Sequence, residues 1–184
     1  QQKKIEAMEK AIKKLRDLEV RTKILTGDRK DVALSVCQRV GVNCSRILTG
    51  QEIENLEESQ LQTAVEYGEV FAELTPNQKV EIIQVLRENG HTVGFLGDGL
   101  NDVPAICEAD VGISVDTAVD AAKDAADVVL LDKDLNVLEE GILEGRKTFI
   151  NMSKYIRITA SSNFGNIFSI VCASAFLPFL PMTA

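Results

Sequence analysis

The stretch Gly97-Asp98-Gly99-Leu100-Asn101-Asp102 follows an apolar run, residues 92–96, and leads into a short helical pattern. Glycines on both sides of Asp98 let the backbone turn tightly and approach a ligand closely. Asp98 and Asp102 lie four residues apart across this strand-to-helix turn, so the two carboxylates can point at one site. Mg2+ typically binds one or two carboxylates together with water and phosphate oxygens. The stretch predicts a magnesium site, the alternative being an Asp-rich and Asn-rich surface turn.

Two further segments have the chemistry of a phosphate site. Thr26-Gly27-Asp28 follows the short apolar run 22–25, where a hydroxyl can donate to a phosphoryl oxygen and the next amides can assist. Lys79 lies in the first turn of a helix that begins at Pro76, and phosphoryl transfer needs a cation that balances charge. Taken alone, the first segment is more typical of a plain turn, and the lysine is more typical of a solvated surface side chain. Along the chain, Thr26 comes first, then Lys79, then the paired aspartates, each at or after a strand end. This order strengthens both predictions.

Apolar runs alternate with helical patterns along the first 135 residues. The predicted strands are residues 22–25, 46–48, 70–71, 92–96, 111–114 and 128–131, and the predicted helices are 5–18, 31–40, 56–67, 76–89, 101–109 and 118–125. Strands that are apolar throughout are typical of a parallel sheet covered on both faces. We therefore predict an α/β fold with a doubly wound, Rossmann-like parallel sheet. Ligands of such sheets bind beyond the carboxyl ends of the strands.

The pattern changes after residue 136. Residues 137–155 form a long, amphipathic, charged helical stretch, and no Lys, Arg, Asp or Glu follows Arg157. The uncharged stretch is long enough to span a bilayer, although Ser, Thr and Asn dilute it. We predict domains at 1–135, a stalk helix at 136–157 and a transmembrane helix within 158–184, the alternative being a buried core helix.

The composition of the 184 residues is globular, with 45% hydrophobic and 26% charged residues. A net charge of -8 argues against a nucleic-acid partner, which would require a basic face. The four cysteines form no CxxC pair and His91 is the single histidine, which disfavours a zinc site and favours a reducing compartment. No signal-peptide pattern opens the chain.

The order of these segments resembles the haloacid-dehalogenase superfamily, and the resemblance to P-type ATPases within it is specific. Residues 97–102 resemble the hinge motif of those pumps, and residues 26–28 resemble a second motif of their phosphorylation domain. The match covers nearly the whole chain, including residues 125–130. The resemblance implies a haloacid-dehalogenase-type fold and the C-terminal part of a phosphorylation domain.

The resemblance also implies roles for single residues. Thr26 and Lys79 would contact an aspartyl-phosphate, and Asp98 would be the main Mg2+ ligand with Asp102 close to the metal. The remaining implied phosphate-binding and nucleotide-binding residues are Gly27, Asp28 and Asn101. The implied cofactor is Mg2+, and the implied substrate is ATP.

Two departures from the family pattern bear on activity. The Asp-Lys-Thr-Gly-Thr stretch that carries the nucleophile in P-type ATPases does not occur in these residues. A carboxylate nucleophile divides hydrolysis into phosphorylation and dephosphorylation, so the fragment alone should not turn over ATP. Glu73 occupies a position, six residues before Lys79, where many family members have arginine.

The C-terminal segment indicates the cation. Residues 155–166 resemble the fifth membrane helix of these pumps, and Asn166 lies where calcium pumps typically have an acidic residue. Residues 159–181 resemble bacterial magnesium-transporting ATPases. Asn163 and Asn166 could bind a partly hydrated Mg2+ through its waters; the alternative is hydrogen bonding between helices. The resemblance implies ATP-driven Mg2+ import.

The implied partners are the nucleotide-binding, actuator and membrane domains of the same pump, together with the lipid bilayer. The implied location is the plasma membrane, with residues 1–150 on the cytoplasmic side. Three alternatives stay open at this point: a pump for another cation such as Ca2+, a soluble Mg2+-dependent phosphatase of the same superfamily, and a non-catalytic interaction or regulatory fragment.

Overall fold

The computed structural model describes residues 2–40, 47–132 and 135–176, which fall into two compact units, Gln1–Glu139 and Glu140–Ala184. The helices are α1 (Gln2–Asp17), α2 (Lys30–Val40), α3 (Gly50–Glu54), α4 (Glu58–Tyr67), α5 (Pro76–Glu88), α6 (Val103–Glu108), α7 (Asp120–Ala125) and α8 (Leu135–Phe176). The strands are β1 (Ile24–Leu25), β2 (Ile47–Thr49), β3 (Val70–Ala72), β4 (Gly94–Leu96), β5 (Val111–Val115) and β6 (Val128–Leu130).

Every strand pair in the described residues is parallel, which confirms the predicted α/β class. The strands form two three-stranded sheets, in the orders β1-β3-β2 and β4-β5-β6. Strands β2 and β3 are buried along their whole length, as their apolar runs predict. The strands β1 and β4 are end strands that do not pair with each other, so the described part of the parallel sheet is divided into two.

Helix α5 connects the hydrophobic cores of the two sheets. Its Ile82 packs in a cluster with Phe71 of β3, and the adjacent Ile83 packs in a second cluster with Ile113 of β5. Leu25 of β1 and Val93, just before β4, pack against both clusters. The hydrophobic clusters of the two sheets therefore meet at β1 and at the segment that leads into β4.

Helix α8 includes the stretch predicted as stalk and membrane segment. No helix among the described residues combines the length and the apolar character that crossing a membrane requires, so the predicted transmembrane helix is not confirmed. The polar residues of 159–166, among them Asn163 and Asn166, lower the mean hydropathy of this part of α8. The end of the predicted segment, residues 177–184, lies outside the described residues, as does Arg46 at the start of a predicted strand.

Candidate functional site

The turn after β4 is held by the neighbouring strand β5. The Gly97 N–H donates to the Ile113 carbonyl at 3.0 Å, and the Ser114 hydroxyl donates to the Gly97 carbonyl at 3.0 Å. Ser114 is fully buried. A Cβ atom on Gly97 would lie 2.6 Å from the Asp102 Cβ. Glycine at this position therefore allows the close approach of Asp102 to the end of the strand.

The Asp102 carboxylate is oriented by a local turn. Residues 100–102 form a single 3-10 turn before α6, where the sequence predicted the start of an α-helix. The Asp102 N–H donates to the Gly99 carbonyl at 3.1 Å, and the Gly99 N–H donates to Asp102 Oδ2 at 3.3 Å. These reciprocal bonds leave Asp102 Oδ1 for a partner from another element.

That partner is Lys79, whose Nζ lies 2.7 Å from Asp102 Oδ1. The two side chains are only 10% and 18% exposed, so Lys79 is not a solvated surface lysine. A capping box fixes the first turn of α5: Thr75 Oγ1 accepts from the Gln78 N–H, and Gln78 Oε1 accepts from the Thr75 N–H. The cap thus sets the position of Lys79 relative to the turn after β4.

The loop of residues 26–28, the Thr26 loop, continues the pairing of β1 with β3. The Thr26 N–H donates to the Phe71 carbonyl at 2.9 Å, and the Leu74 N–H donates to the Thr26 carbonyl at 3.1 Å. Thr26 Oγ1 accepts from the Asp28 N–H at 3.1 Å, which leaves its hydroxyl hydrogen available to donate. Leu74 immediately precedes the Thr75 cap of α5, so the loop is tied to the segment that leads to Lys79.

The structure brings some of the predicted residues together and leaves others at the surface. Lys79 and Asp102 form a direct ion pair, and Thr26 is linked to their segment through Leu74. Asp28, Asp98 and Asn101 are exposed around this site. The predicted transported-ion residues Asn163 and Asn166 are exposed on α8, in the second unit.

Sequence reasoning missed three residues around this site. Ser114 holds the Gly97 carbonyl, and buried Gln78 caps α5 while donating to the Gly50 carbonyl at 3.1 Å. Glu73, which the sequence marks only as a departure from the family pattern, has a left-handed backbone with φ 57°. The Thr-x-x-Gln spacing before α5 is a capping-box signal that would have found Gln78. Nothing local in the sequence distinguishes Ser114.

The donor set fits Mg2+, which needs few protein ligands. No group of three or more His, Cys, Asp or Glu is arranged to bind a metal within residues 2–40, 47–132 and 135–176. Mg2+ does not require such a group, since it keeps several waters and binds one or two carboxylates plus phosphate oxygens. The exposed Asp98 carboxylate has no hydrogen-bond partner among the described residues, whereas Asp102 accepts from Lys79 and Gly99. Asp98 is therefore the carboxylate available for direct ligation.

Comparison with known proteins adds a family and several relatives. The haloacid dehalogenase-like hydrolase family matches residues 3–110. The chain is 56% identical over 179 residues to a magnesium-transporting ATPase, P-type 1, of Salmonella typhimurium, covering 97% of this chain and 20% of that protein. It is 54% identical over 172 residues to the protein of the same name in Escherichia coli K12, covering 94% and 19%. It is 37% identical over 157 residues to a calcium-transporting ATPase 1 of Bacillus cereus, covering 84% and 18%.

Two solved structures that resemble this chain are also those of ATPases. A zinc-transporting PIB-type ATPase in the E2.Pi state matches with a TM-score of 0.66 and 26% identity, covering 91% of this chain and 23% of that one. The catalytic domain of the CPx-ATPase CopB-B matches with a TM-score of 0.57 and 27% identity, covering 73% and 44%. The resemblance to P-type ATPases is thus confirmed. The chain spans about a fifth of the length of the curated relatives.

Proposed function

The chain belongs to the haloacid dehalogenase-like hydrolases, and on that premise we propose that it forms the phosphate-binding and Mg2+-binding part of the phosphorylation domain of a Mg2+-transporting P-type ATPase. The observation that carries this proposal is the largely buried Lys79–Asp102 ion pair at the end of β4, beside the exposed Asp98 carboxylate. The identity of 56% to a magnesium-transporting relative supports the choice of ion.

Each side chain at the strand ends would have a different role in binding a phosphoryl group. Lys79 provides a fixed positive charge close to where a phosphoryl group would be transferred, and the Thr26 hydroxyl can donate to one of its oxygens. Asp98 would hold Mg2+, with Asp102 near it and Asn101, Gly27 and Asp28 lining the phosphate and nucleotide side. When bound, Mg2+ neutralises negative charge on the phosphate oxygens. Asp102 keeps Lys79 oriented, because Lys79 Nζ lies 2.7 Å from its Oδ1.

The attacking carboxylate must come from another part of the complete protein. The 184 residues contain no Asp-Lys-Thr-Gly-Thr stretch, and strands β1 and β4 each have an unpaired edge in the described sheets. We propose that the strand bearing this stretch pairs with both edges. Its carboxyl end would then lie between Thr26 and Gly97, within reach of Lys79.

We further propose that residues 158–184 belong to the membrane region of the complete pump, whose other partners are the nucleotide-binding and actuator domains. The supporting observation is the exposed apolar surface of α8, which includes Phe164 and Phe168. Amide side chains interrupt the apolar sequence of a membrane segment where they face an ion path. Residues 1–150 would lie on the cytoplasmic side. Undiminished Mg2+ uptake by the full-length Asn163→Ala and Asn166→Ala variants would exclude these amides as ion ligands.

Labelling of the full-length protein with radioactive ATP tests the proposed function. Wild-type protein should form an acid-stable, hydroxylamine-sensitive phosphoenzyme. Lys79→Ala should lower the rate of its formation about a hundredfold, because a fixed charge at the transferred group is lost. The control is Lys13→Ala, which removes an exposed lysine of α1.

Two outcomes would contradict the proposal. A wild-type protein that forms no hydroxylamine-sensitive label, yet hydrolyses phosphate monoesters without detergent, would indicate a soluble phosphatase of the same family. Phosphoenzyme formation with uptake of Ca2+ instead of Mg2+ would support a P-type pump but would contradict Mg2+ as the transported ion.

A further inference from the structure

Glu73 has a backbone conformation that is rare for its residue type. It follows β3 directly and has φ 57°, in the left-handed region where a Cβ atom crowds the following carbonyl. Glu19 has a similar φ of 61°, but it lies in the turn after α1, where helices often end in this conformation. Glu73 ends no helix. Such outliers persist where the surroundings hold them, and they cluster at functional sites.

The hydrogen bonds of Glu73 lead to the loop that follows β1. Its N–H donates to the Asp28 carbonyl at 2.8 Å, and its Oε1 accepts from the Lys30 N–H at 3.1 Å. The next residue, Leu74, donates its N–H to the Thr26 carbonyl at 3.1 Å. Residues 73 and 74 therefore hold the loop at Thr26 and Asp28, and Glu73 also holds the first residue of α2, Lys30.

The carbonyl of Glu73 lies close to Gly50, the first residue of α3, which also contacts Gln78 of α5. A Cβ atom on Gly50 would lie 2.7 Å from the Glu73 carbonyl oxygen and 2.6 Å from Gln78 Oε1. Gln78 precedes Lys79 in the first turn of α5 and donates to the Gly50 carbonyl. The backbone of Glu73 thus lies between the Thr26 loop and the turn that presents Lys79.

We infer that Glu73 is a positioning residue that sets the Thr26-Gly27-Asp28 loop for phosphoryl transfer, an inference that rests on the function proposed above for this loop. The carboxylate acts by accepting the Lys30 N–H, while the left-handed backbone directs the Glu73 N–H to the Asp28 carbonyl. Because Glu73 is exposed, losing its carboxylate should shift the loop rather than unfold the domain.

Three variants of the full-length protein separate these contributions. Glu73→Gly removes the carboxylate but tolerates the positive φ and keeps the N–H donor. Glu73→Gln retains an acceptor oxygen at nearly the same place. Glu19→Gly makes the same substitution at the other left-handed glutamate, outside the site.

We expect Glu73→Gly to lower the rate of phosphoenzyme formation roughly tenfold, since misplacing a group by about 1 Å can reduce a rate a hundredfold. Glu73→Gln and Glu19→Gly should stay within about twofold of wild type. The thermal unfolding midpoint of Glu73→Gly should not fall, because glycine accepts this φ. A wild-type rate in Glu73→Gly, or an equal loss in Glu73→Gln, would overturn the inference.

Hydrogen exchange gives a readout that does not depend on activity. In the same proteins, the peptide that contains Lys30 should exchange faster in Glu73→Gly than in wild type or Glu73→Gln, because its N–H loses its acceptor. Unchanged exchange would overturn the positioning role even where activity falls. If wild-type protein forms no phosphoenzyme, the proposed function fails, and the exchange result alone decides whether Glu73 positions the loop.

Discussion

Lys79 and Asp102 are 23 positions apart in the chain, and the structure joins them at 2.7 Å with little exposure. Replacing a buried ion pair by apolar residues is often neutral for stability or stabilising, so such a pair is weak evidence of a structural role. Its place beside Asp98, at the end of a parallel strand, favours a chemical role. The sequence predicted both residue types at strand ends but not their contact, because contacts at this separation depend on how β4 and α5 pack.

Asp98 is the residue whose role can be tested without disturbing the fold. Its carboxylate is exposed and has no hydrogen-bond partner among the described residues, so Asp98→Asn should change the unfolding free energy of the chain by less than about 0.5 kcal/mol. If the carboxylate binds Mg2+ directly, the full-length variant should need about tenfold more Mg2+ for half-maximal phosphoenzyme formation. Asp124→Asn, at an exposed position of α7, is the control. An unchanged Mg2+ requirement would show that Asp98 does not bind the metal.

Helix α4 places Glu66, near its C-terminus, at the amino ends of the strands, opposite the candidate site. Glu66 Oε1 accepts from Arg21 at 2.8 Å, and Oε2 lies 2.8 Å from His91 Nε2 and 3.2 Å from Asn89 Nδ2. Arg21 precedes β1 and His91 precedes β4, so one carboxylate connects the segments that enter the two sheets. The helical pattern of residues 56–67 predicted α4 but not this contact, which depends on where both strands begin.

The hydrogen bonds from His91 and Arg21 lower the pKa of Glu66 from 4.5 to about 2. A carboxyl whose pKa is lower in the folded state stabilises the fold above its unfolded pKa, and this contribution is lost as the pH falls through the folded pKa. Glu66→Gln should therefore lower the unfolding free energy by about 1 kcal/mol at pH 7. The difference should shrink below about pH 4.5 and vanish below about pH 2.

Urea unfolding of the 184-residue chain at pH 7 and at about pH 3 measures this effect. Glu58→Gln, at the exposed start of the same helix, is the matched control and should show no comparable pH dependence. A Glu66→Gln penalty of equal size at both pH values would show that the negative charge of Glu66 is not what stabilises the cluster.

Among the described residues of the first unit, two three-stranded sheets have hydrophobic clusters that meet, but the sheets do not pair with each other. Leu25 and Val93 contact both core clusters, while β1 and β4 keep one unpaired edge each. Unpaired strand edges present N–H and C=O groups that another strand can bind. This arrangement is expected if a strand from elsewhere in the complete protein completes the sheet.

Amide exchange tests this arrangement. In the 184-residue chain, the amides of β1 and β4 should exchange faster than those of the central strands β3 and β5. In a longer protein that carries the proposed Asp-Lys-Thr-Gly-Thr strand, β1 and β4 should become protected while β3 and β5 stay unchanged. Equal protection of β1 and β4 in both proteins would exclude a strand inserted between them.

The shorter chain should also form no phosphoenzyme, because it lacks the attacking carboxylate.

The sequence by itself determined the parallel α/β class, the location of Thr26 and Asp98 after strand ends, the location of Lys79 in the first turn of a helix, and the resemblance to P-type ATPases. These follow from local information: hydrophobic periodicity, glycine and proline at turns, and short motifs with fixed spacing. Only the tertiary structure decided that the strands form two sheets, that Lys79 pairs with Asp102, and that Glu73 adopts a left-handed backbone beside the Thr26 loop. Each of these depends on residues far apart in the chain, whose contacts arise from packing and strand pairing, which a local pattern does not encode.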